Sequence, residues 1–447
     1  MRQEGRSYQT SGGWESIAFI LLCAALLVFG LLMIYSASSI VALTAGESPA
    51  AYVVTQLKNT ALGLVLALIV AFNDYHTWSE RLLAPIWVVT VIMLGLVLTN
   101  LAGADAYGAT RWFSLGPIHL QPSEFAKATL LMCAAFFIQQ LFEGQEDLQP
   151  VLVRAGIVMG IPLLLILLEP DKGTVLIVCV TTAIMLFVAG MPMKVVLAVA
   201  AGALLIIAVL AMKDEYSRRR IMIMANPWLD EYGDGYQLIQ GRYAFGSGGL
   251  FGVGIGNSRQ KYSYLPMAHN DFIFAVIGEE LGLVGTMLVL VAFLALLYLG
   301  FRIARSAPDL AGCLIASGGV SMLVVQLLVN VCGVLGIIPL SGKPIPFLSY
   351  GGSSIMTTLV LAALVVSVAR TSKASAPATA GARPSFRVYE GGQSGFRVIE
   401  GGGSTTPESL RASRDFAATH TRGRVSVGSN GMRRIDLGPS AGERLRR

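Results

Sequence analysis

The apolar positions of this chain come in long blocks. Uncharged runs occupy 17–35, 82–101, 173–193, 195–212, 281–301 and 310–335. Four more blocks carry a polar interruption: 52–72 contains Lys58, 123–142 contains Lys127, 151–168 contains Arg154, and 347–368 opens with Ser349 and two glycines. A bilayer core of about 30 Å needs roughly 20 apolar residues per helix. The pattern therefore predicts an all-α polytopic membrane protein of about ten transmembrane helices, with a large outer loop between spans 7 and 8. The first run follows Arg2 and Arg6 and lacks a small-residue cleavage site. It is also too long for a signal-peptide core, so it reads as an uncleaved first span.

Composition agrees with this reading. Apolar residues make up 54% and charged residues 13% of the 447, and mean hydropathy is +0.65. A soluble domain carries about 25% charge, so secreted, cytosolic and single-anchor classes are excluded. The net charge of +6 is concentrated in residues 371–447, which hold thirteen basic and six acidic side chains. The basicity thus describes a tail and gives no sign of a nucleic-acid-binding fold. Three regions follow: an N-terminal segment 1–13, a membrane domain 14–370 with its outer loop 213–270, and a basic tail 371–447 expected to be disordered. Ten spans put both termini on one side, and the basic tail and short basic loops make that side the cytoplasm. Cys23, Cys133, Cys179, Cys313 and Cys332 all lie in apolar runs and read as buried small hydrophobes.

With that topology the outer connections are the unusual ones: 102–122, the turn at 169–172, the loop 213–270, and 336–346. Ionisable groups at membrane depth are costly and mark candidate sites. Glu124 and Lys127 share a helix face at i,i+3, either as a self-satisfied pair or as the wall of a polar cavity. Asp271 stands where the eighth span begins, before Phe272-Ile273-Phe274. It is either a helix cap or a partly desolvated carboxylate suited to proton abstraction. Glu279 and Glu280 lie about 12–14 Å deeper along a helix and read as structural. The glycine stretch 246–256 does not fit a dinucleotide fingerprint or a P-loop and reads as a close-packed re-entrant turn. Pro339, Pro344 and Pro346 before Ser349-Tyr350-Gly351-Gly352-Ser353-Ser354 read as a broken helix entry. In the tail, Phe386–Gly392 and Phe396–Gly402 repeat one pattern, either within a solvated linker or as a docking motif for a partner or anionic lipid. No hydrolase triad order and no metal-ligand spacing occurs. Physical reasoning alone reaches a transporter or a lipid-processing enzyme with a polar outer cavity.

Several motifs in order then carry a resemblance. They are Gly108-Ala109-Thr110-Arg111-Trp112, Gln121-Pro122-Ser123-Glu124-Phe125-Ala126-Lys127, Pro170-Asp171 with Gly173-Thr174, Gln260-Lys261 with Tyr264-Leu265-Pro266, His269 with Asp271-Phe272-Ile273-Phe274, Glu279-Glu280-Leu281-Gly282 and Pro346–Ser354. Over roughly 14–370 the chain resembles the SEDS family (shape, elongation, division and sporulation), and its Gln260-Lys261 stretch and long tail resemble the division-type members more than the elongation-type ones. The resemblance implies a ten-helix peptidoglycan glycosyltransferase that polymerises lipid II on the outer face of a bacterial cytoplasmic membrane, at the division septum. It implies Asp271 as catalytic general base and undecaprenyl pyrophosphate as leaving group. Arg111, Glu124, Lys127, Lys261, His269 and Ser349 are implied to bind substrate, with Arg111 and Lys127 stabilising leaving-group charge. The implied partners are a class B penicillin-binding protein and, through the tail, other division proteins, with no nucleic acid. No resident cofactor is implied, and a divalent cation, Mg or Mn, is left open. Met267, Asn270, Lys172 and Lys343 depart from the usual family pattern. The alternatives are an elongation-type polymerase, a lipid II flippase and a non-catalytic division scaffold. A flippase needs a polar route through the bilayer, which most of these spans do not offer.

Overall fold

The computed structural model describes residues 13–99, 103–106, 109–115, 118–143, 147–262 and 264–374, together with four short strands further on. It divides into two compact units, Met1–Pro377 and Ala378–Arg447. The first is a helical bundle. Its membrane-length helices are α1 (Trp14–Thr44), α2 (Ala51–Phe72), α4 (Pro122–Glu143), α5 (Leu148–Leu168), α7 (Met193–Lys213), α10 (Ile273–Arg305), α11 (Leu310–Val334) and α12 (Gly352–Ala374). Two shorter apolar helices, α3 (Leu83–Val97) and α6 (Lys172–Val188), complete the ten expected spans. The long loop is itself structured: α8 (Glu215–Ala225), a 3-10 turn (Pro227–Asp230) and α9 (Tyr236–Gly248). The connection before α4 holds a three-stranded antiparallel meander, β1 (Gly103–Ala106), β2 (Ala109–Leu115) and β3 (Ile118–Leu120), which the hydropathy pattern gave no sign of.

Burial sorts the helices. Along α11, α12 and α4 most side chains are covered by protein, whereas α7 and α5 expose almost their whole circumference. Those exposed positions are Leu152, Ile157, Leu164, Leu197, Leu205 and their like, which lipid covers at no cost. The inner helices place a different chemistry at their contacts: small residues let backbones approach, and hydroxyls and amides bond across. Gly318 of α11, for example, is packed against Leu131 and Met185.

One helix is broken. In α10, Gly282 has φ 68° and ψ −164°, which separates 273–281 from 283–305. The glycine stretch fills the break. Leu283 N–H donates to the Gly249 carbonyl (2.9 Å) and Val284 N–H to Leu250 (3.1 Å), while Val253 and Gly254 donate to the carbonyls of Glu279 and Glu280 (3.0 Å each). The backbone groups that the kink orphans are thus satisfied by the loop. The approach is close enough that a methyl at Gly248, Gly252 or Gly282 would overlap backbone atoms. This is the close-packed turn that the sequence suggested.

The connections sort onto two ends. At one, His76 lies between Asp74 (2.8 Å) and Asp309 (2.7 Å), and Tyr75 donates to Asp309 (2.7 Å). Asp309 also caps α11 through Gly312 N–H (2.7 Å). At the other end meet the four connections that looked unusual in the sequence. Gln121 and Ser123 reach Asp171, Lys172 reaches Asp214, Arg220 reaches the carbonyl of Leu340, and Lys343 reaches Asp171.

In the second unit the two tail repeats pair with each other. Strand β4 (Arg387–Gly392) runs antiparallel to β5 (Gly395–Glu400), placing Arg387 opposite Glu400 and Glu390 opposite Arg397. A second short pair joins β6 (Val425–Val427) to β7 (Arg433–Ile435).

Candidate active site

Four charges alternate in a buried row. Asp171 precedes α6, accepts from Thr174 N–H (3.1 Å) and from the hydroxyls of Thr174 and Ser123 (2.8 Å each), and so caps the helix. Lys343, in the irregular segment before α12, donates to Asp171 Oδ2 at 2.5 Å and lies 3.5 Å from Glu124 Oε1. Glu124 Oε2 accepts from Lys127 Nζ at 2.7 Å. Lys127 ends the row by donating to Gln326 Oε1 of α11 (2.5 Å). Every one of these side chains is more than nine-tenths buried. Two acids and two bases balance, which is the condition under which burial of charge is tolerated. The Glu124–Lys127 pair is therefore more than a self-contained i,i+3 bridge: it is one half of a larger network.

Asp271 sits beside this row. The N-cap position of α10 belongs to Phe272, so the Asp271 carboxylate is not a helix cap. A methyl on Gly342 would stand 3.5 Å from Asp271 Oδ2, which places the carboxylate against the segment carrying Lys343. The Asp271 carbonyl accepts from Asn330 Nδ2 at 2.7 Å. Burial pushes its carboxyl above the usual carboxylate range, opposed by the positive charges of Arg220 and Lys343. Arg220, on α8, lies 4.5 Å from the centre of the Tyr216 ring while donating to Leu340.

The other residues singled out from the sequence divide. His269 is buried among Tyr52 (centroids 4.6 Å) and Tyr350 (5.6 Å), and its carbonyl accepts from Tyr350 N–H at 2.9 Å. Burial lowers its imidazole to about 4, so it is neutral at physiological pH. Ser349 shapes the turn into α12: its hydroxyl accepts from Ile345 N–H (2.8 Å) and its carbonyl accepts from Gln56 (3.4 Å). Lys261 belongs to a different cluster. Its ammonium donates to the Gly256 carbonyl and lies 3.6 Å from Glu280, which also accepts from Ser36 (2.6 Å). Glu279 accepts from Ser258 and from Arg259 N–H (2.9 Å). The structure therefore gathers Glu124, Lys127 and Asp271 around Lys343 and Asp171, sets His269 and Ser349 alongside through Tyr350, and turns Lys261 toward the α10 kink. The backbone of Arg111 lies in β2, and its side chain lies outside the described residues.

Asp171, Lys343, Gln326, Asn330 and Arg220 were not read as site residues from the sequence. Asp171 appeared within a motif and Lys343 as a departure from a pattern. Charge beside apolar spans could have flagged Asp171 and Lys343, whereas the uncharged amides Gln326 and Asn330 leave no such signal. Of the remaining departures, Lys172 donates to Asp214 (2.7 Å), whose carboxyl is held down to about 2 by that bond and by Ser217. Asn270 Nδ2 reaches Met267 Sδ at 3.5 Å, and Met267 itself has φ +52°. Among the described residues no three His, Cys, Asp or Glu side chains converge as metal ligands.

A bundle of ten apolar helices with a balanced charge network under a partly covered carboxylate defines a polytopic membrane protein with a polar site at one end. The profile of the FtsW/RodA/SpoVE family of cell cycle proteins matches residues 17–374, and the chain belongs to that family. It is 38% identical over 352 residues to the probable peptidoglycan glycosyltransferase FtsW of Trichlorobacter lovleyi, covering 79% of this chain and 92% of that one. To stage V sporulation protein E of Bacillus subtilis it is 37% identical over 361 residues, covering 80% and 97%. Among solved structures it is similar to a chain from work on the coordination of polymerization and crosslinking by a peptidoglycan synthase complex (30% identity, TM-score 0.65, 81% and 98% covered). It is also similar to the rod shape determining protein RodA of Thermus thermophilus (28% identity, TM-score 0.58, 80% and 97% covered).

Proposed function

We propose that this chain is a peptidoglycan glycosyltransferase that polymerises lipid II, with Asp271 as its general base. Family membership supports the reaction class. The observation that carries the site assignment is the carboxylate of Asp271, raised by burial, held against the Lys343 segment and next to a buried charge network. In the reaction the acceptor sugar's 4-hydroxyl oxygen attacks the donor's anomeric carbon. Its proton passes to the Asp271 carboxylate. The new bond joins that oxygen to the anomeric carbon, and the broken bond releases undecaprenyl pyrophosphate with the electron pair. Arg111 and Lys127 are assigned to the leaving group's negative charge, Lys127 acting from within the network that also holds Lys343.

The loop-rich end of the bundle is assigned to the outer face of the cytoplasmic membrane, with both termini in the cytoplasm. The proposed partner is a crosslinking enzyme, a class B penicillin-binding protein, supported by the likeness to a chain from a peptidoglycan synthase complex that coordinates polymerization and crosslinking. The division septum is the proposed setting, supported by relatives bearing the name FtsW. The test is polymerisation of purified lipid II by the protein together with that partner, with Asp271→Asn alongside. Glycan ladders from wild type and none from the variant are expected. Ladders from both would remove Asp271 as the base, and ladders from neither, with divalent ions added, would remove the enzyme assignment.

A further inference from the structure

Two amides on α11 have no part in the scheme above. Gln326 and Asn330 are each 1% exposed and stand four residues apart, on one helix face. Gln326 accepts from Lys127 through Oε1 and donates through Nε2 to the carbonyl of Pro344 (2.7 Å). Asn330 does something more specific. Its single amide nitrogen donates to two carbonyls, that of Asp271 and that of Lys343, both at 2.7 Å. An amide nitrogen has two hydrogens, and both are engaged. The two carbonyls come from different connections, one leading into α10 and the other into α12.

We propose that Asn330 is a positioning residue for the proposed reaction: its amide nitrogen fastens the backbone of Asp271 to the backbone of Lys343 and thereby fixes the base carboxylate relative to the segment that carries the Lys343 charge. This rests on the assignment of Asp271 as base. Gln326 completes the device one turn away, tying the neighbouring Pro344 to the Lys127 end of the charge row. A side chain of equal bulk but no N–H, such as leucine, fills the space and leaves both carbonyls without a donor. Aspartate offers only acceptors to two acceptors. Glutamine keeps both hydrogens on a stem one methylene longer.

The groups whose charge bears on Asp271 are Arg220 from α8 and Lys343 from the segment before α12, with neutral His269 in its own loop. The α11 groups that reach this segment are the two uncharged amides. Lys343 in turn is held by Asp171 and Glu124. Releasing the clamp lets the carboxylate and the ammonium separate, so the acid limb of the rate profile moves to higher pH. A residue that served only to fill space would not move it.

The experiment uses the full chain with its crosslinking partner and lipid II, measuring initial rate against substrate concentration and pH. Asn330→Leu is expected to lower kcat about 100-fold, the scale of a 1 Å misplacement, with KM within about threefold of wild type. Its acid limb should rise by about half a pH unit, and Asn330→Gln should recover about a tenth or more of the lost rate. If Asn330→Leu does not yield folded protein, Asn330→Ser, which keeps one donor, is read the same way. A folded variant with an unmoved acid limb overturns the inference, whether or not its rate falls. Wild type that makes no glycan, or an active Asp271→Asn, overturns the underlying assignment and this inference with it. Active wild type, inactive Asp271→Asn and an unmoved Asn330→Leu profile overturn this inference alone.

Discussion

Removing Lys343 tests the buried charge row as a unit. Lys343→Met keeps the length of the side chain and deletes its charge. At an effective dielectric of about 20, contacts of 2.5 Å to Asp171 and 3.5 Å to Glu124 are worth about 7 and about 5 kcal/mol of attraction. Desolvating the ammonium offsets most of that, and breaking a buried pair by deleting one partner costs about 3–5 kcal/mol. The lower end applies here, because Asp171 keeps Thr174 and Ser123 as donors and Glu124 keeps Lys127. Asp171→Asn strands Lys343 in the same way. The double variant leaves only the neutral Glu124–Lys127 pair. Its cost should fall short of the sum of the singles by about 2 kcal/mol or more, well beyond the roughly 0.5 kcal/mol scatter of independent sites. The assay is reversible unfolding in mixed micelles, read by tryptophan fluorescence, for the four proteins of the cycle. Additive singles would refute the coupling and with it the view of the row as one network.

Further outcomes follow from the same geometry. Because burial raises the Asp271 carboxyl and Lys343 opposes the rise, polymerisation should be lost on acidification while the pH is still above the usual carboxylate range, and Lys343→Met should move that acid limb higher still. His269 is neutral in the fold, with its pKa lowered by burial to about 4. A depressed histidine contributes stability that is whole above its unfolded pKa of about 6.5 and is lost as pH falls toward 4, at most about 3 kcal/mol. A pH series of unfolding midpoints for wild type and His269→Gln reads this, and identical acid sensitivity in the two would sink it. Gly252→Ala meets both a φ of +78° and the Glu280 carbonyl, so it should destabilise the fold by about 1–3 kcal/mol. Unchanged unfolding in that variant would contradict the packing described for the kink.

The spans were legible because twenty apolar residues in a row have few other uses, and all ten expected blocks correspond to helices. The eighth span was read as starting at Asp271 although its uncharged run begins only at 281, and the helix begins at Ile273, with Glu279 and Glu280 inside it. Those charges sit there because Ser258, Arg259 and Ser36 supply donors from distant parts of the chain, which no local pattern reveals. The site was half legible. Glu124, Lys127 and Asp271 stood out as ionisable groups at apolar boundaries. Gln326 and Asn330 did not, since an uncharged amide leaves a hydropathy run intact, and Lys343 was hidden in a proline-rich connection. Lys261 was named only through its motif, and its ammonium folds back onto Gly256 and Glu280.

The break at Gly282 changes which body Asp271 moves with. An unbroken helix of this length would act as a lever, carrying any tilt at its far end directly to the residue before its first turn. Here the glycine stretch bonds to both sides of the break, through the carbonyls of Glu279 and Glu280 on one side and the N–H groups of Leu283 and Val284 on the other. Mechanically, then, the loop is a splint laid across the break, fastened to the half-helix that follows Asp271 and to the longer half beyond Gly282. Bending at Gly282 has to strain those four bonds before it tilts the half that follows Asp271.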